Sequence, residues 1–297
     1  MMKWIKAARL RTLPLAISTM AMGHTLAYVD GHHDIKITIL SILTAVFLQV
    51  LSNFSNDYGD SIHGADSDSR EGPSRMVQKG LISLSQMKVA MYITAILALI
   101  TGICLIYVAI DAWLIRTVFF LLGCLAIWAA INYTAGNNPY GYTGKGDVAV
   151  FIFFGLVTVL GSYFLQTGGW HMHNLLPAIA CGCLSTGVLN VNNIRDIKSD
   201  RLAGKISIPV KIGREAALRY HGTLLVVAIL VLVVFGLIRP FGWTLKWTFL
   251  PVSFLLWHNY SAVKRYDKPE KLDPYLKQLA LSSTALIAAF CISLIVF

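Results

Sequence analysis

Charge is scarce in this chain. Asp, Glu, Lys and Arg make up 13% of its 297 residues, against about one quarter in soluble domains, which excludes an ordinary water-soluble domain. Acidic residues are fewest, 15 against 25 Lys and Arg, for a formal charge of +10. Those basic residues are spread over short loops and build no single basic face or nucleic-acid motif. They exclude a nucleic-acid binder and fit anionic lipid head groups and an anionic substrate. Cysteine is also sparse. Cys104, Cys124, Cys181, Cys183 and Cys291 all lie within apolar runs, and their odd count and lack of metal-ligand spacing argue against disulfides or zinc. Lys3, Lys6, Arg9 and Arg11 precede an apolar run as in a signal peptide. No clear small-residue cleavage site follows, so that run reads as a retained first helix.

Apolar sequence is what the chain has in abundance: 56% hydrophobic residues and a mean hydropathy of +0.64. This is the composition of a polytopic membrane protein, all-α, since a spanning helix needs about 20 mostly apolar residues. Nine such runs can be placed, at 12–29, 37–56, 88–108, 112–133, 147–166, 174–193, 216–237, 243–262 and 277–297. With nine spans, 21 of the 25 Lys and Arg fall on one side and only Lys36, Arg116, Arg239 and Lys246 on the other. That bias puts the N-terminus in the cytoplasm. A weak repeat pairs the second run with the sixth. Each ends in Asn and Asp, continues through a basic loop and enters another helix. Two related four-helix halves plus one added helix, in a single domain over 1–297, are expected.

The polar exceptions are concentrated. Asn53, Asn56, Asp57 and Asp60 end the second run, and Asn192, Asn193, Asp196 and Asp200 end the sixth. On a helix, Asn53, Asp57 and Asp60 share one stripe, and so do Asn192, Asp196 and Asp200. Such stripes offer hard oxygen ligands suited to Mg²⁺. A loop made acidic for solubility accounts for Asp66, Asp68 and Glu71. It does not account for paired Asn residues a turn deeper, where a polar group is costly without a partner. Lys79, Lys198, Arg201, Lys205 and Arg214 lie in the same loops as cations for phosphate oxygens; positive-inside bias is the plainer account of any one of them.

A third stretch, Tyr133 to Asp147, carries Asn137, Asn138, Pro139, Tyr140, Tyr142, Gly144 and Lys145. Its Gly and Pro read as a shaped loop rather than a helix, and its tyrosines and amides suit a pocket for an aromatic ring. Two Asp sites with Mg²⁺ at one membrane surface suit departure of a diphosphate from an allylic carbon. The reacting cation is then kept from water inside a helix bundle and steadied by aromatic faces. The apolar tail of such a substrate would lie between helices, open to membrane lipid.

Asn53-Phe-Ser-Asn56-Asp57-Tyr58-Gly59-Asp60, running on to Gly64-Ala-Asp66, resembles the first Asp-rich motif of the UbiA superfamily of intramembrane aromatic prenyltransferases. Asn192-Asn193-Ile194-Arg195-Asp196-Ile-Lys-Ser-Asp200-Arg201 resembles the second. Ala8 to Pro14, Gln78-Lys79-Gly80, the Tyr133–Asp147 loop, Lys205 to Pro209 and Gly213-Arg214 resemble the branch that acts on 1,4-dihydroxy-2-naphthoate in menaquinone synthesis. The resemblance implies nine transmembrane helices around a central cavity capped by cytoplasmic Asp loops, in a bacterial inner membrane. It implies transfer of a polyprenyl group from polyprenyl diphosphate to 1,4-dihydroxy-2-naphthoate with decarboxylation, giving demethylmenaquinone. Asp57 and Asp60 would hold one Mg²⁺ with help from Asn53 and Asn56, and Asp196 and Asp200 a second with Asn192. Lys79, Lys205 and Arg214 would clamp the diphosphate, with Lys198 and Arg201 beside them. Arg9, Arg11, Tyr133, Asn137, Tyr142, Lys145 and Asp147 are candidates for the aromatic substrate. Leu10 stands where relatives often have proline, and Asn137-Asn138 are more polar than the usual Gly-rich loop.

Three other activities compete with this resemblance. A sister prenyltransferase would use 4-hydroxybenzoate, homogentisate or a porphyrin precursor as acceptor. An alcohol phosphotransferase would need one compact Asp cluster, not two distant ones. A secondary transporter would place its ionisable residues near the bilayer midplane, whereas here they gather at the ends of the apolar runs.

Overall fold

A computed structural model describes residues 2–64, 75–239 and 247–296, and in them every regular element is a helix. Asp66, Asp68, Arg70, Glu71 and Lys246 lie outside the described residues. The helices are α1 (Met2–Ala8), α2 (Leu13–Val29), α3 (Ile35–Ile62), α4 (Leu84–Ala109) and α5 (Trp113–Asn132). They continue with α6 (Gly146–Thr167), α7 (Leu175–Arg195), α8 (Ile197–Leu202), α9 (Ile208–Ile212), α10 (Arg214–Ile238), α11 (Ser253–Arg265) and α12 (Pro269–Ile295).

Seven helices among the described residues are long and apolar enough to cross a bilayer. The expected first span is found at nearly its expected bounds but is short for a crossing, and the expected eighth, over 243–262, is reduced to Ser253–Arg265 among the described residues. Leu13–Val29 has 17 residues and Ser253–Arg265 has 13, or about 26 and 20 Å of helix against a hydrocarbon core of about 30 Å. Arg9 adopts a left-handed φ of 48° and starts a 3₁₀ turn, which separates α1 from α2. A further 3₁₀ turn at Leu250–Val252 shortens the eighth run from its N-terminal side.

Local chemistry fixes the helix starts. Asp34 caps α3 by accepting the Lys36 and Ile37 N–H groups at 2.7 and 3.4 Å. Ser83 and Gln86 form a reciprocal capping box at the start of α4, each side chain accepting the other's backbone N–H at 3.2 Å. The main core joins α2, α7, α10 and α12 through Met22, Leu184, Leu232, Phe235 and Phe290, all essentially inaccessible. Helix α7 is central and α5 peripheral: 72% and 6% of their most apolar stretches are buried. A second cluster of Leu51, Phe54, Met76, Ile82 and Met87 packs around the motif end of α3.

Close backbone approach sets the register of the motif helices. Gly59 on α3 meets Thr134 so tightly that an added Cβ would lie 2.4 Å from the Thr134 carbonyl. Gly59→Val should therefore lower stability by about 1–3 kcal/mol, the range for overpacking, read as a lower melting temperature in detergent. An unchanged melt would mean that the two backbones separate freely. Within α6, residues Phe151–Leu160 are wound as a π-helix. Such insertions are uncommon and re-aim side chains, often at functional sites; here Phe153, Phe154 and Val157 line a cavity.

Candidate functional site

The two Asp-rich segments meet at one cavity: the first lies on a single helix, whereas the expected stripe of the second breaks at Asp196 between α7 and α8, and Asn192 and Asn193 line the wall while Asp196 and Asp200 do not. The cavity encloses about 210 Å³ and is walled by Asn53, Asn56 and Asp60 from α3 and by Asn192 and Asn193 from α7. Arg9, Arg11, Arg75, Lys205 and Lys277 supply cations around the same space. Tyr133 and Thr134 close it from the loop after α5.

Asp60 is buried. Its Oδ1 accepts the Tyr142 hydroxyl at 2.7 Å, and its Oδ2 pairs with the Arg75 guanidinium, which also donates to the Asn56 carbonyl. Asp57, one turn earlier and also buried, does not line the cavity. Its carboxylate accepts the Met76 and Val77 N–H groups at 3.2 and 3.3 Å and so holds the return of the chain after the first motif. Asn53 donates to the Ala8 carbonyl at 2.8 Å and to Thr12 Oγ1 at 3.0 Å, anchoring the N-terminal segment. Asn56 Oδ1 accepts the Thr134 hydroxyl at 2.9 Å.

The second segment is equally engaged. Arg195 donates to both carboxylate oxygens of Asp196, at 2.7 and 2.8 Å, to Asn192 Oδ1 at 2.9 Å and to Asp273 Oδ1 on α12 at 2.7 Å. Lys205 Nζ donates to Asp200 Oδ1 at 3.1 Å. Asp200 Oδ2 is buried with no hydrogen-bond partner among the described residues, as is Asn193 Oδ1. Burial pushes the Asp200 carboxyl above the usual carboxylate range; Lys205 opposes the shift, and Asp196 and Asp60 add to it. Asp60 on α3 and Asp200 on α8 thus lie in one electrostatic field. Burial, with Asp147, Tyr140, Asp60 and Asp200 around it, likewise raises the Tyr133 phenol.

Several expected phosphate ligands stand elsewhere. Lys79, Lys198 and Arg201 are exposed and outside the cavity wall. Arg214 is committed to the end of α11, donating to the Val263 and Tyr266 carbonyls at 2.9 and 2.6 Å and pairing with Asp267. A guanidinium with three acceptors in place serves the fold there, so only Lys205 of that set lines the site. Among the aromatic-substrate candidates, Arg9, Arg11 and Tyr133 line the cavity. Asn137 and Lys145 are exposed, and Tyr142 is held by Asp60. Asp147 is buried beside Tyr220 and outside the wall.

Arg75 and Lys277 are cavity residues that the sequence presents only as orientation charges. Neither belongs to a motif, and only the fold brings them in. The same is true of Gln49, whose Nε2 reaches Thr12 Oγ1 at 3.2 Å. Beneath the polar cavity lies an apolar chamber of about 420 Å³ between α2, α3, α4, α5 and α6. Asn53, Asn56, Tyr133 and Phe154 wall both spaces. The arrangement is a charged mouth above a greasy interior, fit for an amphiphile with an anionic head.

Comparison with known proteins agrees with this arrangement. The chain is 42% identical, over 93% of its length and 89% of the relative's, to a 1,4-dihydroxy-2-naphthoate octaprenyltransferase of Escherichia coli. It is 39% identical to the protein of the same name in Haemophilus influenzae, covering 99% of this chain and 96% of that one. A UbiA homolog from Archaeoglobus fulgidus bound to GPP and Mg²⁺ shares the fold, with a TM-score of 0.65 at 16% identity over 97% of this chain and 99% of that one. Residues 16–292 match the model of the UbiA prenyltransferase family. With that match over most of its length, and with two buried Asn/Asp segments ending at one cationic cavity inside an apolar helix bundle, this integral membrane protein belongs to the UbiA prenyltransferase family.

Proposed function

We propose that the protein transfers a polyprenyl group from polyprenyl diphosphate to 1,4-dihydroxy-2-naphthoate with loss of CO₂ and diphosphate, giving the quinol form of demethylmenaquinone. One observation carries this reading: the charged mouth shared by Asp60, Asn192 and Lys205 opens into the apolar chamber below it. The names of the relatives supply the acceptor.

The donor set fits Mg²⁺. It offers hard oxygens, and the buried Asp200 Oδ2 and Asn193 Oδ1 carry unused acceptor capacity. Asp60 and Asp200 would hold the metal, with Asn56, Asn192 and Asn193 beside them and Asp57 and Asp196 completing the two motifs. When bound, Mg²⁺ supplies Lewis-acid neutralisation of the departing diphosphate. Arg75, Lys205, Arg9, Arg11 and Lys277 ring the phosphate oxygens, and bidentate guanidinium contacts fix their orientation. Tyr133 presents an aromatic face where mouth meets chamber, the level at which an allylic cation would form. Apolar walls keep water from that cation. The carboxylate-bearing ring carbon of the acceptor attacks the allylic carbon as the allylic carbon's bond to the diphosphate oxygen breaks and diphosphate leaves. Electron release from the ring hydroxyls drives the attack, and departure of the carboxylate as CO₂ restores the aromatic ring.

The same reading places the two shorter helices, α2 and α11, as the remaining crossings of a nine-span, two-repeat bundle in a bacterial cytoplasmic membrane. Both Asp segments then face the cytoplasm, where the positive-inside bias puts them. Purified protein offered 1,4-dihydroxy-2-naphthoate, 4-hydroxybenzoate and homogentisate should prenylate the first, and the product mass should lack CO₂. Prenylation of 4-hydroxybenzoate with its carboxylate retained would assign the chain to a sister activity instead.

A further inference from the structure

The apolar chamber is lined by three glycines, Gly102, Gly123 and Gly161, and none of them is forced by a close contact. Gly102 lies on α4 and Gly123 on α5. A glycine inside a helix costs roughly 0.5–1 kcal/mol relative to alanine, so it usually marks a place where a side chain has no room. At Gly23 and Gly155 that is the case. A Cβ on Gly23 would lie 1.9 Å from Ser162 Oγ, and one on Gly155 would lie 2.6 Å from the Ala178 carbonyl oxygen. At Gly123 an added Cβ meets nothing within 4 Å, and at Gly102 it meets only Thr44 Cγ2 at 3.8 Å. These two positions keep space open on neighbouring helices, as Gly161 does on α6, where an added Cβ also meets nothing within 4 Å.

Their depth is informative. Phe119, Gly123, Ala126, Ala130 and Tyr133 of the chamber wall recur at helical spacing on one face of the α5 segment. Gly123 lies ten residues before Tyr133, about 15 Å along the axis. It is therefore remote from the diphosphate mouth. Ser41, one turn of α3 from Thr44, is fully buried in the same wall, and its Oγ has no hydrogen-bond partner among the described residues. A buried hydroxyl is rarely left without a partner, and the alkene faces of a prenyl chain are weak acceptors of an O–H. Helix α5 itself is the least covered of the long helices, so space beside it leads toward lipid.

We propose that Gly102 and Gly123 determine donor chain length: the side chains they lack leave a passage between α3, α4 and α5 for the distal units of a long polyprenyl tail. The proposal rests on the prenyl-transfer reading above and adds to it where the tail runs. The test is the G102L/G123L variant assayed with farnesyl and octaprenyl diphosphate beside the wild type. Leucine has the higher helix propensity and would enter open space, so the melting temperature in detergent should not fall. Octaprenyl turnover should drop about tenfold or more while farnesyl turnover stays within about twofold, a selective loss that a general folding defect does not give. Should the leucine pair not fold, G102A/G123A is read by the same ratio, with a smaller loss again confined to octaprenyl diphosphate. Equal loss with both donors, or undiminished octaprenyl transfer, would overturn the proposal and send the tail out beside Leu276 and Ala280 at the mouth. If the wild type transfers neither donor, the prenyl-transfer reading itself fails and takes this one with it.

Discussion

Asp60→Asn and Asp200→Asn are each expected to cut prenyl transfer by about a hundredfold to a thousandfold, the range for removing one preorganised charge from a transition state. Both carboxylates are buried; Asp60 lines the cationic mouth, and Asp200 lies behind its wall, paired with the lining Lys205 and within the field of Asp60. Both already hold a cation, Arg75 on Asp60 and Lys205 on Asp200, so stability must be separated from catalysis. Breaking a buried pair from one side leaves the partner charge uncompensated, which costs about 3–5 kcal/mol when burial is complete. The Arg75 side chain is 9% exposed and the Lys205 side chain 11%, so some of that penalty should appear as a lower melting temperature. Pairing Asp60→Asn with Arg75→Gln removes both charges and should recover most of the melting temperature without recovering activity. A double variant that regains turnover along with stability would reduce Asp60 to a structural counter-ion.

Helical periodicity holds through the first motif, but the second, expected as one stripe through Asn192, Asp196 and Asp200, breaks at Asp196 between α7 and α8. Asn53, Asp57 and Asp60 do fall on one helix, and α7 does carry Asn192 to the same cavity, because period and hydropathy are local properties of the chain. What escaped was the direction of individual side chains. Asp57 and Asp60 are three residues apart, yet one holds the backbone of Met76 and Val77 while the other faces the cavity. Arg214 looked like a phosphate ligand because it lies in the second basic loop, but the end of α11 supplies carbonyls that claim it. Arg75 was invisible for the opposite reason. It stands outside both motifs, and its contact with Asp60 arises only when the chain turns back over the end of α3. The span count was limited by similar causes. Hydropathy sees apolar runs, but the left-handed Arg9 and the 3₁₀ turns at Leu10–Thr12 and Leu250–Val252 decide where α2 and α11 begin.

Thorough chelation should abolish turnover, and added Mg²⁺ should restore it, while the protein stays folded throughout. The resting pairs explain why both halves of that expectation hold together. Without a metal, Asp60 keeps Arg75 and Tyr142, Asp196 keeps Arg195, and Asp200 keeps Lys205. No carboxylate of the site is then left as an isolated buried charge, so the fold does not need the ion in the way a zinc finger does. What remains unused is acceptor capacity, at Asp200 Oδ2 and Asn193 Oδ1. A ligand that binds only the folded state raises the melting temperature by mass action. Mg²⁺ with a diphosphate should therefore raise it more than either alone, because each supplies the charge the other needs in a low-dielectric mouth. Unfolding on chelation would mean that the metal is structural. Turnover that survives chelation would leave Arg75, Lys205 and the neighbouring cations as the only charges on the departing diphosphate, and the two Asn/Asp segments would then serve to position those cations.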